Sequence, residues 1–249
     1  MTESPSSSPL RQRFAGFDQV TEPTRFALGH AGLDTALGGG LPRGRLHEFW
    51  PARPEDGPSA IGFALLLALR AGGRGGNIVW LTQDRAPRCG RLYPPGLAEL
   101  GADPARLLFV TAPDEASLLR AAADVVRSPA AGTAVIAPGV ASPAIDLTAT
   151  RRLTLFAERS GVTALLVRQS DPHCPSAAAT RWCVAAAPSP LLEADAPGAP
   201  AFMVECTRQR GGAPVAATRL EWQRDDGRFA PLSGAAPADA GGRRRAAGG

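Results

Sequence analysis

The stretch that comes nearest to a defined chemistry is Ala52-Arg53-Pro54-Glu55-Asp56-Gly57-Pro58-Ser59, set between a short apolar run, Leu46 to Trp50, and a longer one, Ala60 to Ala71. A strand, a glycine-bearing loop and a buried helix in that order bind phosphate when the loop reads G-x-x-x-x-G-K-[ST]. The glycines let backbone N–H groups cradle the phosphates, the Lys reaches the outer phosphates, and the hydroxyl holds magnesium. Here Gly57 and Ser59 keep their positions, Ala52 stands for the first glycine, and Pro58 stands for the Lys and also removes a backbone N–H. Glu55 and Asp56 add negative charge to the cradle. Like charges a few ångströms apart repel by several kcal/mol at an effective dielectric of ~20, so this degenerate loop is expected to reject a triphosphate and to bind no cofactor. Pro58 suits the first turn of a helix, where a missing N–H costs nothing, and the loop reads as a structural helix start. A second element departs in the same way: the apolar strand Thr133 to Ile136 runs into Ala137-Pro138, where a P-loop ATPase would carry the Asp that holds magnesium through water.

Composition limits the alternatives. All 27 basic residues are Arg, so neither a P-loop Lys nor a Schiff-base Lys exists anywhere in the chain. A hydrophobic content of 44% over 249 residues supports one large domain with tails. The net charge of +4 and pI near 9.3 permit weak attraction to nucleic acid without requiring it. The four cysteines (Cys89, Cys174, Cys183, Cys206) and three histidines (His30, His47, His173) lack paired metal-ligand spacing, and no metal site is expected; His173, Cys174 and Cys183 form the one local cluster. This cysteine usage fits a reducing cytosol. The N-terminus has no apolar signal core and no run is long enough to span a bilayer, so a cytoplasmic protein is expected.

The elements that must position these residues alternate. Strands are predicted at Leu46 to Trp50, Asn77 to Thr82, Leu107 to Thr111, Thr133 to Ile136 and Val162 to Val167. Helices are predicted over 60–71, over 115–127 capped by Asp114, and over 145–160, the last with Leu147, Leu153, Leu155 and Phe156 inward and Arg151 and Arg152 outward. Such alternation implies an α/β fold, a mainly parallel sheet with helices on both faces. From Trp182 onward the pattern changes to strands separated by Gly/Pro turns, at 181–187, 202–208 and 218–222, an antiparallel C-terminal extension. Residues 1–25 read as a flexible Ser/Pro-rich segment, 26–232 as the domain, and 233–249 as a disordered basic tail carrying Arg243, Arg244 and Arg245.

The order of motifs resembles the RecA family: GLDTALGGGLPRGRLHEF resembles its entry into the ATPase core, and AFMVECTRQRGGAPVAATRLEW its terminal hairpin. Four blocks, Trp80 to Asp84, Leu92 to Gly101, Asp146 to Leu153 and Pro175 to Trp182, are similar to the ImuA family, the RecA-like component of the bacterial induced-mutagenesis cassette. The resemblance covers roughly residues 28–230. It implies a RecA-like core and a role in translesion synthesis after DNA damage, within the SOS response. The implied partners are an ImuB-type Y-family pseudo-polymerase and, indirectly, an error-prone DNA polymerase, with RecA itself a further candidate. By the same resemblance the water-activating Glu falls near Asp84, a methylene shorter, and Arg181-Trp182 follows the segment where RecA carries a DNA-binding loop. An Arg beside an aromatic can hold phosphate and stack a base, while Trp182 also reads as half-buried in its strand and Arg151 and Arg152 as a solvated helix face. Arg151, Arg152, Arg181, Trp182, Arg208, Arg210 and the tail Arg243 to Arg245 are the candidate contacts to partners or DNA.

The expected function is a non-enzymatic adaptor of the mutasome, cytoplasmic and drawn to the nucleoid on damage, with DNA contact weak or indirect. Two alternatives stand beside it: a DNA-dependent ATPase or recombinase that contacts phosphate through Arg53, and a division inhibitor resembling SulA, another RecA-like core without a P-loop.

Overall fold

The computed structural model describes residues 23–73, 76–84, 92–139, 142–169, 174–189, 196 and 198–232. The N-terminal segment to residue 22 and the tail with Arg243, Arg244 and Arg245 lie outside the described residues, as do Cys89 and His173. In chain order the elements are β1 (Arg25–Phe26), α1 (Ala31–Ala36), β2 (Leu41–Pro42), β3 (Leu46–Pro51), α2 (Gly57–Gly72), β4 (Ile78–Gln83), α3 (Pro94–Glu99), β5 (Leu107–Ala112), α4 (Glu115–Arg127) and β6 (Thr133–Ala137). They continue with α5 (Leu147–Ser160), β7 (Thr163–Val167), β8 (Thr180–Ala186), β9 (Ala201–Gln209), β10 (Val215–Gln223) and β11 (Arg228–Pro231). The large sheet runs β11-β10-β9-β8-β3-β7-β6-β4-β5. From β8 to β5 every pairing is parallel, and β9, β10 and β11 continue antiparallel, the expected α/β class with a C-terminal extension. The extension starts one strand later than expected, because β8, read as its first strand over 181–187, pairs parallel with β3 and antiparallel with β9.

The layers follow from period-two alternation along the strands. Phe49, Trp80, Val135, Leu165, Val167, Trp182 and Val184 point to one face, where α2 covers them with Phe63, Leu66 and Leu67. Leu46, Leu81, Ala134, Ile136, Ala164 and Leu166 point to the other, beneath α4 and α5. α2 is apolar almost all round because it is buried between the sheet and the β1–β2 segment, with Phe26, Leu28, Leu33, Leu37 and Leu41 in the same core. That segment is held by local polar bonds: the Asp34 carboxylate accepts from Leu28 N and Gly29 N at 2.7 and 2.9 Å, and His30 Nδ1 caps α1 by accepting from Leu33 N at 3.1 Å. Gly40 turns the chain at φ +110, where a Cβ would stand 2.2 Å from the Phe26 carbonyl oxygen.

Further details differ from the sequence reading. Leu155 is 51% exposed, not inward. Leu153 is buried, and two residues on a helix lie about 200° apart, so both cannot face the core. The second is β11, absent from the pattern reading; it follows a turn at Arg224 to Gly227 and pairs with β10 from Leu220↔Pro231 to Gln223↔Arg228. The two terminal strands before it are also longer than the apolar pattern marked, reaching Gln209 and Gln223.

Candidate functional site

β3 feeds the degenerate loop at the carboxyl ends of the parallel strands, the edge where α/β sheets bind ligands. The loop does not form an open cradle. After Pro51 it makes a 3-10 turn over Pro54–Asp56, and α2 begins directly at Gly57 with Pro58 in its first turn. The Asp56 side chain, 3% exposed, turns inward. Its Oδ1 accepts from Ala186 N on β8 at 3.0 Å, and its Oδ2 lies 3.4 Å from Arg53 Nε. The loop backbone is sewn to the same strand by Ala52 N donating to Val184 O at 2.8 Å. The loop's own carboxylate thus takes a backbone N–H from the neighbouring strand, and Arg53, the one cation here, faces Glu55 at 3.7 Å and Asp56. Ser59 is half-buried in α2, Ala137 ends β6 buried, and Asp84 is exposed just past β4 with its N–H on Ala112 O at 2.9 Å. Cys183, near this corner, has its thiol pushed up by burial and by the negative charges of Glu205 and Asp56, which keeps it protonated and a poor nucleophile.

On the opposite face of the sheet, between the middle of β3 and the first residues of β8, lies a charge cluster that the sequence reading missed. Glu48 of β3 is fully buried; Arg181 Nη2 of β8 reaches its Oε1 at 3.0 Å, and Arg168 Nε, just past β7, lies 2.8 Å from the same oxygen but off the hydrogen-bond direction. Arg168 Nη2 also donates to Ile145 O at 2.5 Å, and the Arg181 guanidinium sits 4.9 Å from the Trp50 ring centroid. The pairing was readable only through register: Glu48 faces Arg181 across β3–β8, and that register is set by the fold and not by any local motif.

This geometry corrects the reading of Arg181 and Trp182 as DNA contacts. Trp182 is fully buried against Phe49 and Phe63, and its Nε1 donates to Thr180 Oγ1 at 2.7 Å, so no face remains for a base. The guanidinium of Arg181 is committed to Glu48 and Trp50 instead of to phosphate. Arg208 is exposed, and its guanidinium donates to Ser176 O at 3.1 Å and Ala178 O at 2.7 Å. Arg210, at the β9–β10 turn, is 70% exposed and 3.9 Å from Glu158. Arg151 and Arg152 are exposed on α5, where the sequence put them, and neither makes an ion pair among the described residues.

No group of three His, Cys, Asp or Glu side chains is placed to hold a metal ion among the described residues. A cavity of about 480 Å³ opens at the opposite edge of the sheet, between Arg70, Arg106, Trp222 and Asp226. Among the described residues no helix is long and apolar enough to cross a membrane.

The fold and strand-end loop define an α/β protein of P-loop-like layout whose loop is closed by its own carboxylate. No family model matches the chain. It is 36% identical over 203 residues to Protein ImuA of Caulobacter vibrioides, in each of two strains, covering 76% of this chain and 80% of that protein. The chain belongs to the ImuA family.

Proposed function

We propose that the chain is a non-catalytic, RecA-like adaptor of DNA-damage-induced translesion synthesis, acting beside an ImuB-type pseudo-polymerase and an error-prone polymerase. Family membership supports a role in the induced-mutagenesis cassette. The observation that carries the absence of catalysis is the strand-end loop: Asp56 is bonded to Ala186 N, and Pro58 stands where a phosphate-binding Lys would be. A phosphoryl transfer site needs cations at the β- and γ-phosphates and a positioned nucleophile. Here the loop offers two carboxylates and one Arg already turned toward them. With Arg181 buried against Glu48 and the Arg208 guanidinium bonded to backbone carbonyls, the arginines of α5 and Arg210 of the β9–β10 turn are the surface assigned to recruitment.

The test is ATP hydrolysis by the purified chain with the pseudo-polymerase and single-stranded DNA present, compared with a Ser59→Ala, Asp84→Ala double variant. Equal background rates are expected. A wild-type rate clearly above the variant would overturn the reading.

A further inference from the structure

α5 carries an exposed stripe whose chemistry the core does not use. Thr148, Arg151, Arg152, Leu155 and Arg159 all face outward, at the i, i+3, i+4, i+7 and i+11 spacing that groups residues on one side of a helix. Leu155 is 51% exposed and sits one turn from each of the three arginines. The side chains of Arg151, Arg152 and Arg159 have no carboxylate partner and no hydrogen bond among the described residues. The nearby carboxylate, Glu158, is shared between Arg45 at 3.6 Å and Arg210 at 3.9 Å, so it does not neutralise the stripe. On the other flank Arg127 pairs with Asp124 and lies 5.0 Å from the Phe156 ring centroid, which extends the surface toward α4 with its own charge balanced.

A single apolar anchor ringed by unpaired cations is complementary to an apolar residue ringed by carboxylates. A phosphate backbone would use the arginines but has nothing to offer Leu155, whose burial favours protein. We propose that this face of α5 docks an acidic amphipathic helix of a partner protein, Leu155 packing on its apolar side and Arg151, Arg152 and Arg159 pairing with its carboxylates. The proposal rests on the adaptor reading and names the chemistry of the partner segment.

The probe is a fluorescein-labelled synthetic helical peptide with leucines at i, i+4, i+7 spacing flanked by glutamates. It is compared with the same peptide carrying lysine for glutamate and with a mixed-sequence single-stranded oligonucleotide. Titrated with the full chain, the acidic peptide is expected to bind saturably and to weaken with added salt, while the lysine peptide does not bind. Leu155→Ser should weaken the acidic peptide about tenfold, and Arg151→Glu with Arg152→Glu and Arg159→Glu should remove binding. All four positions are exposed, so circular dichroism should match the wild type. The proposal is overturned if the acidic peptide fails to bind, if its affinity ignores Leu155→Ser, or if the oligonucleotide binds more tightly through the same arginines. Co-purification with the pseudo-polymerase, measured separately, keeps the two readings apart: a retained complex with failed peptide binding sinks only the α5 assignment.

Discussion

His47 illustrates how far a single side chain is committed to the fold. It is wholly buried, with Nε2 bonded to Pro42 O at 2.9 Å and Nδ1 to Thr180 Oγ1 at 2.8 Å. A carbonyl only accepts, so Nε2 carries the hydrogen; Nδ1 then accepts from the Thr180 hydroxyl, which itself accepts from Trp182 Nε1. Burial, with smaller contributions from the Arg45 and Arg25 charges, pushes the imidazole down to about 4 from 6.5, against the bond to Pro42. Because the folded value is the lower one, protonation favours the unfolded chain. Stability is therefore complete above about pH 6.5 and falls as pH drops toward 4, by roughly 3 kcal/mol in all. Urea denaturation between pH 7 and 4 should record this loss, and His47→Gln should flatten the profile across that window. Glu48 gives the second prediction at this scale. Replacing it with Gln leaves two buried guanidiniums facing a neutral amide, and breaking a buried pair this way costs about 3–5 kcal/mol, to be read as a lower urea midpoint at unchanged slope.

Among the elements, α2 is the one the molecule is built on. Phe63 touches the rings of Phe49, Trp182, Phe202 and Phe229 at centroid distances of 5.1–6.3 Å, joining the parallel core to the antiparallel extension. Phe63→Ala should cost about 3–5 kcal/mol, seen in thermal or urea unfolding. The loop before α2 predicts a negative result. Pro58→Lys restores the cation but leaves Asp56 seated on Ala186 N and Ala137 at the end of β6, so ATP with magnesium should still give no thermal stabilisation of the variant. At this scale most of the architecture was legible. Unbroken apolar runs marked the buried parallel strands, and Asp114 marked a helix start that the structure bears out, by accepting from Ser117 N. What was not legible depended on geometry between elements. Leu155 reads as core until the helical angle from Leu153 is fixed, β11 is too short for a pattern, and the Glu48–Arg168–Arg181 cluster exists only once β3, β7 and β8 lie side by side. The same holds for Trp182, which beside Arg181 resembles a base-stacking pair but belongs to the aromatic core.

Among the described residues the main sheet has nine strands, and contacts of the chain's own side chains bind β3 to its neighbours. Asp56 ties the strand-end loop to Ala186 at the carboxyl end of β8, and Glu48 with Arg181 joins β3 to β8 further down the strands on the other face. Both contacts hold β3 and its loop to β8. Under the proposed adaptor function, the chain works through its surfaces without a nucleotide switch, and its association with partners is expected to be independent of ATP. The most direct measurement is therefore complex formation with the ImuB-type pseudo-polymerase, followed by co-elution and titration with and without ATP and magnesium. The account predicts a stable complex whose affinity changes less than about twofold on adding ATP, well under 1 kcal/mol. A complex that forms only with ATP, or none under either condition, would contradict it.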